Sequence, residues 1–260
     1  MTNPAITPCP SCDAVLLGDY CAACGQRAPR AADFTLKSFA RELWTEVSGS
    51  DSRLWRTVLG LFRPGVLTLA YLQYRWRAYL PPLRLYLVMS ALFFLLAWDA
   101  YFQAQLLQAR SAPPEAMPEA VRGMFNDPAI SERISDWTAF YRFAGVLFLG
   151  LLVKLLHWRL PIGRHLVFAA HYYCADYVIY LLASPLLYYA SAQAYPSALG
   201  GVTGVGMLWL LWWAVLADRR VYGGGWAGNV FRGLLILCAD VMISMIGGQL
   251  AIASVFLSRA

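Results

Sequence analysis

The sequence predicts an all-α membrane protein with five transmembrane helices and a small N-terminal cysteine module, and three observations carry that prediction. Of 260 residues, 59% are hydrophobic and only 14% charged, against roughly 25% charged in an ordinary soluble domain. Several runs stay apolar for about 20 residues, the length a helix needs to cross a hydrocarbon core ~30 Å thick. Between those runs the polar breaks alternate between arginine-rich and arginine-poor.

Residues 1-30 hold the cysteine module and carry no basic-then-apolar leader, so the N-terminus is expected to stay on the side of synthesis. Residues 31-82 form a juxtamembrane stretch with two amphipathic helices. In the first, Leu36, Phe39, Leu43 and Val47 recur at helical spacing behind Asp33 or Thr35 as cap. In the second, Leu54, Val58, Leu61 and Phe62 share a side until Arg63-Pro64-Gly65 stops the helix. Neither is long or apolar enough to cross. Both are predicted to lie in the membrane interface, because Tyr74-Arg75-Trp76-Arg77-Ala78-Tyr79 follows with side chains suited to headgroup depth.

Residues 83-260 form the membrane domain. Pro81 and Pro82 give the first crossing, 83-102, a defined start. A polar loop broken by Pro113, Pro114, Pro118 and Pro128 leads to the second, 137-158, with Arg142 and Lys154 near its ends. The third is 166-189, the fourth 198-217 with a tryptophan belt before Asp218-Arg219-Arg220, and the fifth 229-257. No internal repeat is visible, which leaves an inverted-repeat transporter without support.

Arginine and lysine orient these crossings. Ten fall before residue 85; Lys154, Arg159 and Arg164 precede the third crossing, and Arg219, Arg220 and Arg232 flank the start of the fifth. The connections on the other side carry few. The pattern predicts a cytosolic N-terminus and an external C-terminus. The net charge of +6 therefore belongs to anionic headgroups of the inner leaflet, and nucleic acid is not the expected partner. Arg75, Arg77, Arg84, Arg164 and His165 are the candidate headgroup contacts.

Cys9, Cys12, Cys21 and Cys24 form C-x2-C-x8-C-x2-C, two knuckles that each offer two thiolates to one tetrahedral zinc. Gly25 suits the turn after the second knuckle, whereas Asp13 follows the first. A cytosolic location argues against two disulfides. With four protein ligands and no open position, the zinc would be structural.

The order Tyr20-Cys21-x-x-Cys24-Gly25-Gln26, Phe34-Thr35-Leu36, Arg56-Thr57-x-x-x-Leu61, Arg63-Pro64-Gly65, then Tyr71-Leu72 with Arg75, Arg77, Tyr79 and Pro81, resembles an uncharacterised bacterial membrane family. His165-Leu166-Val167-Phe168 with His171 is similar to that family's later signature. The resemblance implies an inner-membrane protein with a zinc ribbon and brings no assigned activity. Gln73 and Tyr74 stand where the family pattern has glycine and lysine.

Inside the membrane, Asp176 and Asp240 each lie twelve residues past the start of their helices, at Arg164 and Gly228, a depth of ~18 Å at the α-helical rise. No cation is expected at that level. Tyr172 and Tyr180, one turn either side of Asp176, are the natural hydroxyl partners. The pair reads either as a proton- or cation-handling site or as hydrogen-bond glue between crossings. His171 is expected to be a buried, hydrogen-bonded histidine, since with Cys174 alone it makes a poor metal site.

The sequence shows no phosphate-binding glycine loop, nucleophile elbow or metalloprotease helix. It favours a non-enzymatic adaptor or lipid-interacting protein whose ribbon binds a protein partner. A small proton- or cation-coupled permease using Asp176 and Asp240 is the second reading, and a lipid-headgroup-modifying enzyme the third. An oligomer is compatible with all three.

Overall fold

The computed structural model describes residues 8–28, 54–111, 128–193 and 196–257. The expected helix over 36–47 lies outside the described residues. Within them the chain is helical, apart from two isolated antiparallel bridges, Pro8 with Val15 and Tyr20 with Arg27. The helices are α1 (Leu54–Leu61), α2 (Val66–Leu72), α3 (Pro82–Leu96), α4 (Trp98–Ser111), α5 (Pro128–Leu156), α6 (Ile162–Ala192), α7 (Pro196–Tyr222) and α8 (Trp226–Leu257).

Helices α5 to α8 each contain a stretch long and apolar enough to cross a membrane. Helices α3 and α4 make a fifth candidate span, bent by 63°. The predicted crossing at 83-102 is therefore broken. The break falls at Ala97 (φ −118°, ψ −16°), inside a knot where Trp98 packs on Phe93, Phe94, Tyr101 and Phe102. Beyond Trp98 the helix turns polar, with Asp99, Gln103, Gln105 and Gln108, the first three of them exposed, where the half before the break is apolar. The bend lays this polar helix against α6 and α7.

Helix α6 is the axis of the bundle. Residues 165–178 are buried without interruption, because α2, α3, α4, α5 and α7 all pack around it. A helix surrounded by protein has no lipid-facing side, so Tyr, His, Cys and Asp can occupy every face. Pro185 lies inside it and cannot donate to the Leu181 carbonyl. The Ser184 hydroxyl supplies that bond at 2.9 Å.

Helices α1 and α2 form a wedge at the end where α5 finishes and α6 begins. Gly65 turns the chain between them at φ 76°, and its missing Cβ would lie 2.9 Å from Ala217 Cα, so only glycine fits. The Leu61 carbonyl accepts from Trp213 Nε1 at 2.9 Å, and Arg220 reaches the Pro64 carbonyl. Thr57 Oγ1 accepts from the Leu80 amide at 3.0 Å, fixing the approach to α3. Thr68, with no exposed surface, hydrogen-bonds His171 Nδ1 at 2.9 Å. Helix α2 is thus packed into the bundle, where the sequence places the whole stretch at its interface.

Candidate functional site

Arg142 of α5 forms an ion pair with Asp176 of α6. The two side chains are 12% and 4% exposed. The sequence expects no cation at the depth of Asp176, and the structure corrects this. The apolar pattern places the start of the second crossing at 137, which puts Arg142 near an end; α5 begins nine residues earlier at Pro128. Arg142 is therefore about 21 Å into its helix by the α-helical rise. Pro128 reads as a loop breaker in the sequence, whereas it is the first residue of a helix, where proline is equally at home.

Arg142 is also held from behind. Its Nε donates to the Tyr177 hydroxyl at 3.3 Å, which donates in turn to Ser90 Oγ at 3.4 Å and lies 3.4 Å from the Tyr86 hydroxyl. Its guanidinium sits over the rings of Tyr177 (4.7 Å) and Tyr173 (5.5 Å). Such contacts fix the cation beside Asp176.

Asp240 of α8 is 5% exposed. Its Oδ2 accepts from the Tyr172 hydroxyl at 3.2 Å, so Tyr172 serves Asp240 and not, as expected, Asp176. Asp240 Oδ1 makes no hydrogen bond among the described residues. Tyr180 packs edge-on to Tyr101 at 5.1 Å. Arg142, Asp176, Tyr180 and Asp240 all border a cavity of about 490 Å³ between α3, α4, α5, α6, α7 and α8. From these mid-helix residues it runs away from the α1–α2 wedge, past Ser244, Gln105, Gln108 and Gln249. Gly233, two turns before Asp240 on α8, lets Val215 of α7 come close.

The four module cysteines converge. Their sulfurs lie within 4.8 Å of one another, with Cys9 to Cys24 and Cys12 to Cys21 both at 3.6 Å. All are free thiols. The knuckles are built alike: Asp13 N donates to Cys9 O and Gly25 N to Cys21 O, each at 2.8 Å. Asp13 adopts φ 61° and Gly25 φ 68°, so aspartate fills the position for which glycine is the obvious choice. The amides of Cys24 and Ala23 favour the Cys21 thiolate and bring it down to about 7. At Cys12 the Ala14 amide pulls the same way, but the neighbouring thiols, Cys24 foremost, push it up to about 12. Four sulfurs so close cannot all ionise without a cation between them, and these four residues fit a metal ion.

The module is docked on residues 74–77, part of a collar of aromatic and arginine side chains at 74–79 that leads toward α3. Arg77 donates to the Gly25 carbonyl at 2.8 Å, Gln26 reaches the Tyr74 carbonyl and Ser11 reaches Gln26. Arg27 lies 5.4 Å over the Trp76 ring. Of the candidate headgroup residues, Arg75 is exposed and Arg84 and Arg164 half-buried. Arg77 contacts the module. His165 is fully buried with Nδ1 3.0 Å from the Tyr222 hydroxyl and Nε2 3.3 Å from the Leu160 carbonyl, a packed position rather than the headgroup position expected of it.

A further group that sequence reading passes over lies beside His165. Asp218 bridges Arg232 at 2.8 Å and His157 at 3.3 Å, and the His157 ring stacks on Tyr222 at 3.9 Å. Burial, with Arg232 adding to it, holds His157 below its ordinary value despite Asp218. Asp218 and Arg232 are fourteen apart across the Gly223-Gly224-Gly225 turn, so the pairing emerges only once α7 and α8 are placed antiparallel.

Residues 51–94 match a family described as Protein of unknown function (DUF3667), which fits the resemblance to an uncharacterised family. The match covers α1, α2 and most of α3. No curated protein and no solved structure matches the chain.

Proposed function

We propose that the chain is a small carrier of the bacterial inner membrane that takes its ligand into the cavity above Asp240 and couples its passage to a proton. The observation that carries this reading is a charged site midway along helices long enough to cross a membrane, bordering a ligand-sized cavity. Intramembrane charges are expensive and tend to mark ion or substrate pathways, and cavities of roughly 300–1,000 Å³ are the usual size for small-molecule sites. Arg142 and Asp176 neutralise each other and serve as the fixed wall. Asp240, with one oxygen unbonded among the described residues, is the exchangeable position, occupied by a proton when the ligand is absent.

In this reading the N-terminus is cytosolic, as the arginine distribution suggests. Cys9, Cys12, Cys21 and Cys24 hold a structural zinc, whose tetrahedral bonds of ~2.3 Å set sulfurs about 3.8 Å apart, in keeping with the 3.6 Å pairs. Zinc cross-links the two knuckles and supplies no chemistry. Through Arg77 and Gln26 the ribbon then clamps the segment leading into α3, while Arg75 and Arg84 face anionic lipid.

Proteoliposomes loaded with a pH-sensitive dye test the carrier reading. With the potential clamped by potassium and valinomycin, an inward proton gradient should acidify the lumen faster with wild-type protein than with Asp240→Asn. Equal rates would contradict it. A second reading, an adaptor working through the ribbon, is favoured by Leu17 and Tyr20, which remain 90% and 65% exposed on the docked module. Leu17→Ala should then abolish cross-linking to a partner in membranes while leaving proton flux unchanged.

A further inference from the structure

We propose that the ligand of this cavity is a lipophilic monocation, an organic cation with an aryl or bulky apolar body, whose charge sits against Asp240. The inference rests on reading the cavity as a ligand site and adds the chemistry of the occupant.

Charge balance is the first argument. Among the residues lining the cavity, Arg142, Asp176 and Asp240 are the ionisable acids and bases. The first two are paired, which leaves Asp240 with no ion-pair partner of its own among the described residues. Tyr172 satisfies one oxygen of Asp240 and the other makes no hydrogen bond among the described residues. The Tyr173 hydroxyl, which also has no hydrogen bond of its own among the described residues, stands close enough to act on the carboxylate as a neutral donor, which leaves the negative charge itself unmatched. A buried carboxylate in that state is strongly unfavourable unless a proton or another cation joins it, and a ligand that displaces the proton must bring a positive charge in its place. An anion would have to displace Asp176 from Arg142 and leave two unpaired acids behind.

The walls define the rest of the occupant. Phe93, Trp98, Tyr101, Phe102 and Tyr180 turn one side of the cavity into aromatic surface, which attracts cations through the ring faces. Gly206, Ser244 and Gly248 also line the cavity, and a Cβ at Gly248 would meet nothing and one at Gly206 only Ile179 Cγ1 at 3.9 Å. An inorganic ion would be poorly served, since calcium or magnesium requires six or more oxygens and the site offers one carboxylate oxygen still free. At about 490 Å³ the space suits a body of drug-like size.

Tetraphenylphosphonium is the probe, with tetraphenylborate as its anion of matching shape and triphenylphosphine oxide as a neutral aryl control. Saturable binding to the purified full chain in detergent is measured by scintillation proximity with labelled probe and by displacement. Wild type should bind the phosphonium and prefer it to both controls. Asp240→Asn should weaken it about thirtyfold or more, the loss expected when one partner of a buried charge pair is removed, and Asp240→Glu should retain most of it. Gly206→Leu should abolish binding without altering any charge, because a Cβ there meets only Ile179 Cγ1 at 3.9 Å while the longer side chain fills the cavity. If Asp240→Asn does not fold, Asp240→Glu and Gly206→Leu still decide. Equal or tighter binding of the borate or the oxide, or unchanged affinity in Asp240→Asn, would overturn the cation inference while leaving a ligand site; unchanged affinity in Gly206→Leu would put the probe outside this cavity and overturn the inference as well. Failure of all three probes to bind wild type would remove the ligand site itself, and the inference with it.

Discussion

Replacing Arg142 by leucine should destabilise the protein by an amount that depends on pH in a definite way. Arg142 and Asp176 form their ion pair with side chains 12% and 4% exposed, so removing the guanidinium leaves a carboxylate that water cannot reach. The fold survives only if a proton neutralises Asp176. At pH 7 that means protonating a group about three units above the ordinary carboxyl value, at about 1.4 kcal/mol per unit, or about 4 kcal/mol. Loss of one member of a buried pair costs a similar 3–5 kcal/mol. In the variant the folded state carries a proton that the unfolded chain lacks at pH 7, so stability must rise as pH falls. At pH 5 the cost should shrink by about 2.7 kcal/mol. Asp176→Leu should cost less, since Arg142 also feels Asp240 and keeps a counter-charge. The double variant Arg142→Leu/Asp176→Leu should recover most of the loss, as apolar replacement of a whole buried pair is often neutral. Equilibrium unfolding of purified protein by sodium dodecyl sulfate in mixed micelles, followed by circular dichroism at pH 7 and pH 5, measures all three. A pH-independent cost, or a double variant no more stable than Arg142→Leu, would refute the pairing.

Other expectations concern the wedge, the ribbon and the histidine at the ribbon end. Gly65→Ala adds a Cβ 2.9 Å from the Ala217 backbone at φ 76° and should cost about 2–4 kcal/mol, whereas Gly200→Ala, with open space around it, should be neutral or stabilise by about 0.5–1 kcal/mol; thermal melts in detergent compare them. Cys21→Ser, or stripping with a strong chelator, should release about one metal ion per chain and make the bonds after Arg75 and Arg77 sensitive to trypsin. Metal loss with unchanged cleavage would mean that the ribbon does not clamp the collar. Burial holds His157 below its ordinary value, so the unfolded chain binds the extra proton first; stability should fall as pH drops through about 6.5. His157→Gln should flatten that part of the melting-temperature profile.

The long apolar runs made the crossings legible, and the cysteine spacing made the four-sulfur cluster legible, because both are local patterns. Where the sequence misled, the cause lay in partners far along the chain. Arg142 reads as a residue near a helix end as long as the crossing is dated from its apolar onset, and its ion pair depends on a helix that starts in polar sequence. Tyr172 stands one turn from Asp176, yet its hydroxyl points to Asp240 on α8. His165 carries the arginine-flanked look of a headgroup ligand, but Tyr222 and the Leu160 carbonyl enclose it. The break at Ala97 has neither proline nor glycine to announce it. Thr57, Gly65 and Thr68, by contrast, explain why a juxtamembrane stretch too short to cross is so closely specified: each makes a contact that seats the wedge.

The account turns on a cavity that water enters from the side opposite the ribbon. In a chain with Cys174 and Cys238 replaced by alanine, Ser244→Cys places a thiol on the cavity wall. A membrane-impermeant maleimide added to intact cells should label position 244 and leave Cys9, Cys12, Cys21 and Cys24 untouched until the membrane is permeabilised and the metal removed. An unreactive position 244, or ribbon cysteines labelled from outside, would contradict it.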